Sequence, residues 1–181
     1  MWILIVVIIA LAIAFIVIYN NLIRKRNTVK NGFAQIDVQL KRRHDLIPKL
    51  IDSVKGYMKY EKSVLEEITK ARSAYIKAND VKTKAQASNQ MSSALKSLFA
   101  VAENYPDLKA NQNFMQLQEE ISGTENKIAY SRQFYNDSVM DYNNYIQMFP
   151  SNAVAFMFGF KSTDMFEAEE SDKKDVNVNL E

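Results

Sequence analysis

The sequence predicts an all-α protein on three observations: an uninterrupted apolar run at its start, heptad-spaced apolar residues through most of the remainder, and a near absence of helix breakers. The expected architecture is an N-terminal transmembrane helix followed by a bundle of three long helices and a short C-terminal helix. Only four glycines and three prolines occur among 181 residues, where ordinary composition would supply about twenty of the two together. Turn-rich sandwiches, barrels and collagen-like repeats are therefore excluded. Cysteine is absent and His44 is the only histidine, so disulfide frameworks, thiolate metal sites and multi-histidine relays are excluded as well. On these grounds no catalytic, cofactor-binding or metal-ligating residue is assigned and no cofactor is expected.

Met1 to Tyr19 contain no charged or strongly polar side chain. As a helix, 19 residues rise roughly 28 Å, close to the roughly 30 Å hydrocarbon core of a bilayer. Trp2 and Tyr19 sit at the two ends, where amphipathic rings favour the lipid–water boundary. A cleaved secretory signal needs a basic start, a shorter apolar stretch and a small-residue cleavage site. Here the start is Met-Trp and the exit is Asn20-Asn21-Leu22-Ile23-Arg24-Lys25-Arg26, so an uncleaved anchor over residues 1–23 is the expectation. Arg24, Lys25, Arg26 and Lys30 follow the run directly, and basic flanks are retained on the cytoplasmic side. A single-pass protein of the cell membrane results, with its N-terminus outside and its bundle in the cytoplasm. Those four cations also suit anionic headgroups.

The bundle is expected over residues 24–160. One inward row holds Phe33, Leu40, Ile47, Val54, Ile68 and Tyr75, with Glu61 as its polar member; the next holds Val29, Ile36, Leu50, Tyr57, Val64 and Ala71. With the adjoining Ile51, Met58 and Leu65 they form a broad apolar stripe, as bundle helices require. Helix is therefore predicted from about Thr28 to Ala78. Pro48 should kink or break it, because it lacks a donor and its ring presses on the carbonyl of His44. Just before that proline, Lys41-Arg42-Arg43-His44-Asp45 admits two readings. Arg42, Arg43 and His44 form a docking or switch patch, or Arg43 pairs with an acidic residue of another helix while His44 is hydrogen-bonded at the kink.

Asn79-Asp80 interrupts the pattern. A second helix is predicted over about Lys82 to Asn104, and Tyr105-Pro106-Asp107 forces a turn. A third helix should start near Asn111 to Asn113 and reach Phe149, with inward rows Phe114, Ile121, Ile128, Tyr135, Tyr142, Phe149 and Leu117, Thr124, Ser131, Ser138, Tyr145. Four of the nine tyrosines lie between Tyr130 and Tyr145; they are aromatic core with surfacing hydroxyls or a protein-binding stripe. Pro150 ends the helix, and Ser151 or Asn152 is expected to cap a short one reaching Phe160. Phe156, Phe158 and Phe160 then either close the bundle or dock onto another molecule. Residues 161–181 read as an acidic disordered tail.

Three blocks of this sequence, QIDVQLKRRHDLIPKLIDSVKGY (35–57), ENYPDLKANQNFMQLQEEISGTENKIAYSRQFYND (103–137) and FPSNAVAFMFGF (149–160), resemble the LemA family of bacterial membrane-anchored proteins over roughly Tyr19 to Phe166. The resemblance implies an N-terminal transmembrane helix and an elongated antiparallel helical bundle, and implies no known reaction. It suggests envelope proteins, membrane peptidases among them, as neighbours. Two positions depart from the family pattern: Phe33 stands where Trp is usual, and Tyr60 where a His before Glu61 is common. A metal held by histidines at that turn is thereby excluded for this chain.

Charge is unevenly spread. Arg24 to Ala100 hold 17 basic and 7 acidic residues, and Val101 to Glu181 hold 6 and 14, so the first half faces something anionic or packs against the second. Three functions are consistent with these features. The first is a membrane-tethered, non-enzymatic scaffold or adaptor of the bacterial envelope. The second is a surface that binds anionic lipid or, less favoured without a reader motif, nucleic acid. The third is a hydrolase built on carboxylates such as Glu119, Glu120 and Asp141, although di-metal bundles need Glu-x-x-His pairs that one histidine cannot supply.

Overall fold

The computed structural model describes residues 1–58 and 61–166. Six helices account for nearly all of them: α1 (Trp2–Val54), α2 (Lys62–Lys77), α3 (Val81–Ala102), α4 (Pro106–Lys109), α5 (Gln112–Gln147) and α6 (Ser151–Met157). The described residues contain no strand. They divide into two compact units, one built from Met1–Asp37 and Tyr130–Met165 and the other from Val38–Ala129 with Phe166.

In the first unit α1 starts with an apolar segment long enough to cross a membrane, and its residues up to Val17 are all exposed. Beyond it the helix becomes one-sided: Leu22, Val29 and Ile36, spaced by sevens, are buried. The facing part of α5 buries Tyr135, Val139 and Tyr142. The two helices run antiparallel, since Lys25 pairs with Asp141 while Phe33, further along α1, meets Tyr135 with ring centroids 5.8 Å apart. They come closest at Gly32, where a Cβ would stand 3.2 Å from the Tyr135 Cα. A side chain there would require the Tyr135 backbone to give way by a few tenths of an ångström, so glycine favours the approach.

After α5 the chain turns through a cis Phe149–Pro150 peptide into α6, whose Val154 and Ala155 cluster with Leu22. The expected cap is absent. Pro150 occupies the cap position, and the Ser151 hydroxyl instead donates to the carbonyls of Tyr145 and Met148, so it ties α6 back to the end of α5. Phe149, assigned to an inward row, is 86% exposed because α5 already ends at Gln147 and the heptad register stops with it. Residues 161–164, expected to begin the disordered tail, are held along α5. The Tyr142 hydroxyl donates to the Lys161 carbonyl at 2.9 Å, and the Tyr135 hydroxyl to the Asp164 carbonyl at 2.8 Å. Asn143 exchanges two hydrogen bonds with the backbone of Thr163. Of the expected tail, residues 167–181 lie outside the described residues.

In the second unit the end of α1, α2, α3, α4 and the start of α5 enclose a core that includes Ile47, Leu50, Ile68, Leu98, Leu108 and Phe114. The helix expected to run to Ala78 is divided, but not where the proline stands. It passes through Pro48 and ends at Val54. One lost backbone bond at Pro48 is offset by the complete burial of Ile47, Leu50 and Val54 around it. The break comes at Lys55–Gly56–Tyr57, where the amide of Tyr57 turns tightly onto the Val54 carbonyl. Asp80 begins α3 with a capping box: its carboxylate accepts from the Thr83 amide at 2.8 Å, and the Thr83 hydroxyl accepts from the Asp80 amide. That hydrogen bonding also holds the Asp80 carboxyl below its ordinary pKa. Asn111 starts α5 in a similar way, its side-chain oxygen accepting the amides of Asn113 and Phe114.

Burial, reinforced by the nearby Asp164, pushes the Tyr135 phenol up to about 12; burial also raises that of Tyr142. A pKa raised in the folded state means that the stabilisation is complete below pH ~10, where the unfolded phenol titrates, and is lost as pH rises through about 12. Thermal melts of the full chain in detergent across this range should therefore fall steeply, and Tyr135→Phe should flatten the fall while lowering the neutral-pH stability by roughly 1 kcal/mol for the lost hydrogen bond. An unaltered alkaline slope in the variant would contradict the assignment.

Candidate functional site

Two places concentrate the residues that the sequence marks out, one in each unit. In the first, the part of α1 that follows the apolar run meets α6. The Phe158 ring lies 4.8 Å from Tyr19 and 5.9 Å from Phe15, and Phe160 stands edge-on to Tyr19 at 6.2 Å. The cations that follow the apolar run lie beside this cluster. Lys25 sits over the Tyr145 ring at 5.2 Å and pairs with Asp141; Arg26 sits over the Phe160 ring at 5.1 Å. Such cation–π contacts contribute about 0.5–1 kcal/mol each when exposed. Arg24 and Lys30 are exposed. Trp2 is exposed at the far end of the apolar run, and Tyr19 is half-buried where the run meets α6.

The three C-terminal phenylalanines thus part company. Phe160 is half-buried between Tyr19 and Arg26, whereas Phe156 is 89% exposed and Phe158, packed on Tyr19 and Phe15, is still about half exposed. The tyrosines of α5 divide as well. Tyr135 and Tyr142 are core with their hydroxyls on carbonyls, Tyr145 is half-buried under Lys25, and Tyr130 is exposed.

In the second unit Arg43 is 3% exposed, on the row it shares with Ile36 and Leu50. Its guanidinium donates to Glu125 of α5 and, from α3, to the Ser92 hydroxyl at 2.9 Å, the Ser88 hydroxyl at 3.0 Å and the Ser88 carbonyl at 3.2 Å. The Ser92 hydroxyl donates in turn to the other Glu125 oxygen. Three helices are joined through one planar cation, a geometry that suits arginine and not lysine. Arg42, beside it, is exposed. His44 rests its ring on Tyr75, 5.5 Å away, and sets Nδ1 3.3 Å from Asp45, while its Nε2 is buried without a partner among the described residues. Lys41 first and then His44 hold the Asp45 carboxyl below its ordinary range.

Sequence reasoning placed Arg43 on an inward row but missed Ser88, Ser92 and Glu125 as its partners. The available signal was the requirement that a buried cation be paired; which residues meet it depends on how α3 and α5 are packed.

The carboxylates considered for catalysis are not brought together. Glu119 and Glu120 are exposed in the second unit, and Asp141 pairs with Lys25 in the first. Among the described residues no three His, Asp or Glu side chains converge. An open groove of about 850 Å³ lies between α1 and α2, floored by Pro48, Ile51 and Leu65 and rimmed by Lys55, Lys62, Lys70, Asp52, Glu66 and Glu67. Tyr60, one of the two departures from the family pattern, lies outside the described residues.

The LemA family profile matches residues 32–180. The chain belongs to the LemA family. Protein LemA of Metamycoplasma hominis is 32% identical to it over 160 residues, 88% of this chain and 73% of that relative. This family member is also similar to the magnetosome proteins MamQ 1 and MamQ 2 of Paramagnetospirillum magneticum. Each is 34% identical over 74 residues, 41% of this chain and 27% of theirs.

Removing the arginine distinguishes a structural from a docking role. Arg43→Ala should destabilise the full chain in micelles by about 3–5 kcal/mol, because Glu125 and both serines lose their partner. Arg43→Lys should recover only part of this. Chemical denaturation followed by far-ultraviolet circular dichroism measures both, and a stability change near zero would show that the network does not hold the helices.

Proposed function

We propose that this LemA-family protein is a membrane-anchored, non-enzymatic scaffold of the bacterial cell envelope. The apolar run of α1 spans the bilayer uncleaved, with its N-terminus outside and the bundle in the cytoplasm, where it gathers envelope proteins. One observation carries this reading: the exposed apolar run continues within a single helix, without a linker, into Leu22, Val29 and Ile36 of the first unit's core. A tether of this kind holds the adjoining unit at a fixed height above the lipid, as suits a platform for other membrane proteins. The basic flank at Arg24, Lys25, Arg26 and Lys30 supports the orientation.

The charge asymmetry adds a second strand of support. Lys25 and Arg43 of the basic half are paired with Asp141 and Glu125 of the acidic half, so part of the asymmetry serves internal packing. The exposed Arg24, Arg26 and Lys30 favour a second, compatible reading in which the flank also contacts anionic headgroups, at about 1 kcal/mol for each charge near the surface.

Large apolar side chains left open on the bundle, Val38, Ile76 and Tyr130, are the places to look for partners. Photo-crosslinkable residues at these positions in the full chain, in living cells, should form adducts with integral membrane or envelope proteins from at least one site. Adducts to no protein from any of them would contradict the scaffold reading.

A further inference from the structure

The end of the first unit nearest the apolar run carries a concentration of bare apolar side chains that internal packing does not use. Phe149 and Phe156 are almost fully exposed, and Met148, Met157 and Phe158 are about half or more exposed. They fall in two short stretches that flank and end α6, at 148–149 and 156–158, and exposed apolar side chains gathered in this way mark an interaction surface. Their position distinguishes them from the other exposed apolar residues of the bundle. Phe158 packs on Tyr19 and Phe15, so the patch starts where α1 leaves its apolar run. The adjoining chain is also free of anionic charge: from Tyr142 to Thr163 there is no acidic residue and one basic residue, Lys161.

We propose that α6 and its flanks form a second membrane contact, an interfacial foot whose Met148, Phe149, Phe156, Met157 and Phe158 side chains enter the leaflet that α1 exits. The occupant of this surface is lipid. The inference rests on the membrane-anchored reading above and adds to it a place in the bilayer for the phenylalanines.

Depth supports it. Tyr19 marks the boundary end of the apolar run, and Phe15 lies one helical turn, roughly 6 Å, deeper. A side chain touching both is at the level of the headgroup–acyl boundary, into which interfacial elements bury their apolar faces by about 5–10 Å. The exposed Arg24 and Arg26 lie on the headgroup side of Tyr19, where they complement anionic lipid. The foot has a mechanical consequence. A single transmembrane helix is free to turn about its own axis, whereas a second contact beside it fixes which face of the first unit is presented to neighbours in the membrane plane.

The test uses the sequence's single tryptophan. In the unaltered full chain, reconstituted in phosphatidylcholine–phosphatidylglycerol vesicles, Trp2 reports on the span. In the chain carrying Trp2→Phe and Phe156→Trp, the new indole reports on α6, and because Phe156 is exposed the substitution leaves the packing intact. Lipids brominated near the headgroup should remove as large a share of emission from the Phe156→Trp chain as from Trp2, and lipids brominated near the bilayer centre should remove less. Unquenched, water-like emission from the Phe156→Trp chain, in floated vesicles that do quench Trp2, would overturn the foot and leave the anchor standing. Stronger quenching by the central label would overturn the interfacial depth. Protein that neither floats with vesicles nor shows quenching of Trp2 would overturn the anchored reading itself, and the foot with it.

Discussion

A helix that is apolar on every side has no stable place in water, and α1 is such a helix over its first part and a one-sided bundle helix over the next. The change comes between Val17, where the unbroken run of exposed residues ends, and Leu22, the first that is completely buried. Burial of apolar side chains contributes roughly 25 cal/mol per Å² removed from water, so the two stretches demand different surroundings: an apolar environment outside the described fold for the first, the first unit's own core for the second. Because both belong to one helix, meeting either demand positions the other. The remaining features of the first unit follow from that junction. Lys25 and Arg26 turn onto aromatic faces of α5 and the C-terminal segment, and α6 folds back against Leu22.

The second unit meets a different constraint. Its buried row contains a cation, and a buried charge left unpaired is costly. Arg43 is accommodated because α3 offers two serines and α5 a glutamate at the level where α1 presents it. The result is a polar join among three helices in which a planar fork of donors accepts one register.

Much of this was legible in the chain because it depends on local pattern. The apolar run, the heptad rows through Ile36, Ile47 and Leu50 and the interruption at Asn79-Asp80 follow from residue spacing, whereas the capping box of Asp80 and the short helix α4 that begins at Pro106, where a turn was expected, were not read. What else the pattern missed depends on contacts between distant segments. Pro48 carries the strongest breaker signal in the sequence, yet the helix continues through it because its neighbours are fully buried, and the break falls at Gly56 nearby. Ser151 has a capping residue's chemistry and uses it on the carbonyls of α5 instead. Residues 161–164 stand at the start of the expected acidic tail, and are held by two tyrosine hydroxyls and an asparagine whose positions only the folded α5 defines. Arg43 was legible as buried, and its partners were not.

The central claim is that the start of α1 resides in lipid while the bundle beside it stands in water, and the absence of cysteine from the chain allows a direct measurement. Single cysteines placed along α1 in the full chain, in intact cells and in inverted membranes, can be probed with a maleimide that does not cross bilayers. The account expects protection at Leu4, Ile9 and Ile13 from both sides, and labelling at Asn27 and Lys30 only when the cytoplasmic face is accessible. Labelling at Ile9 as rapid as at Lys30 would contradict it.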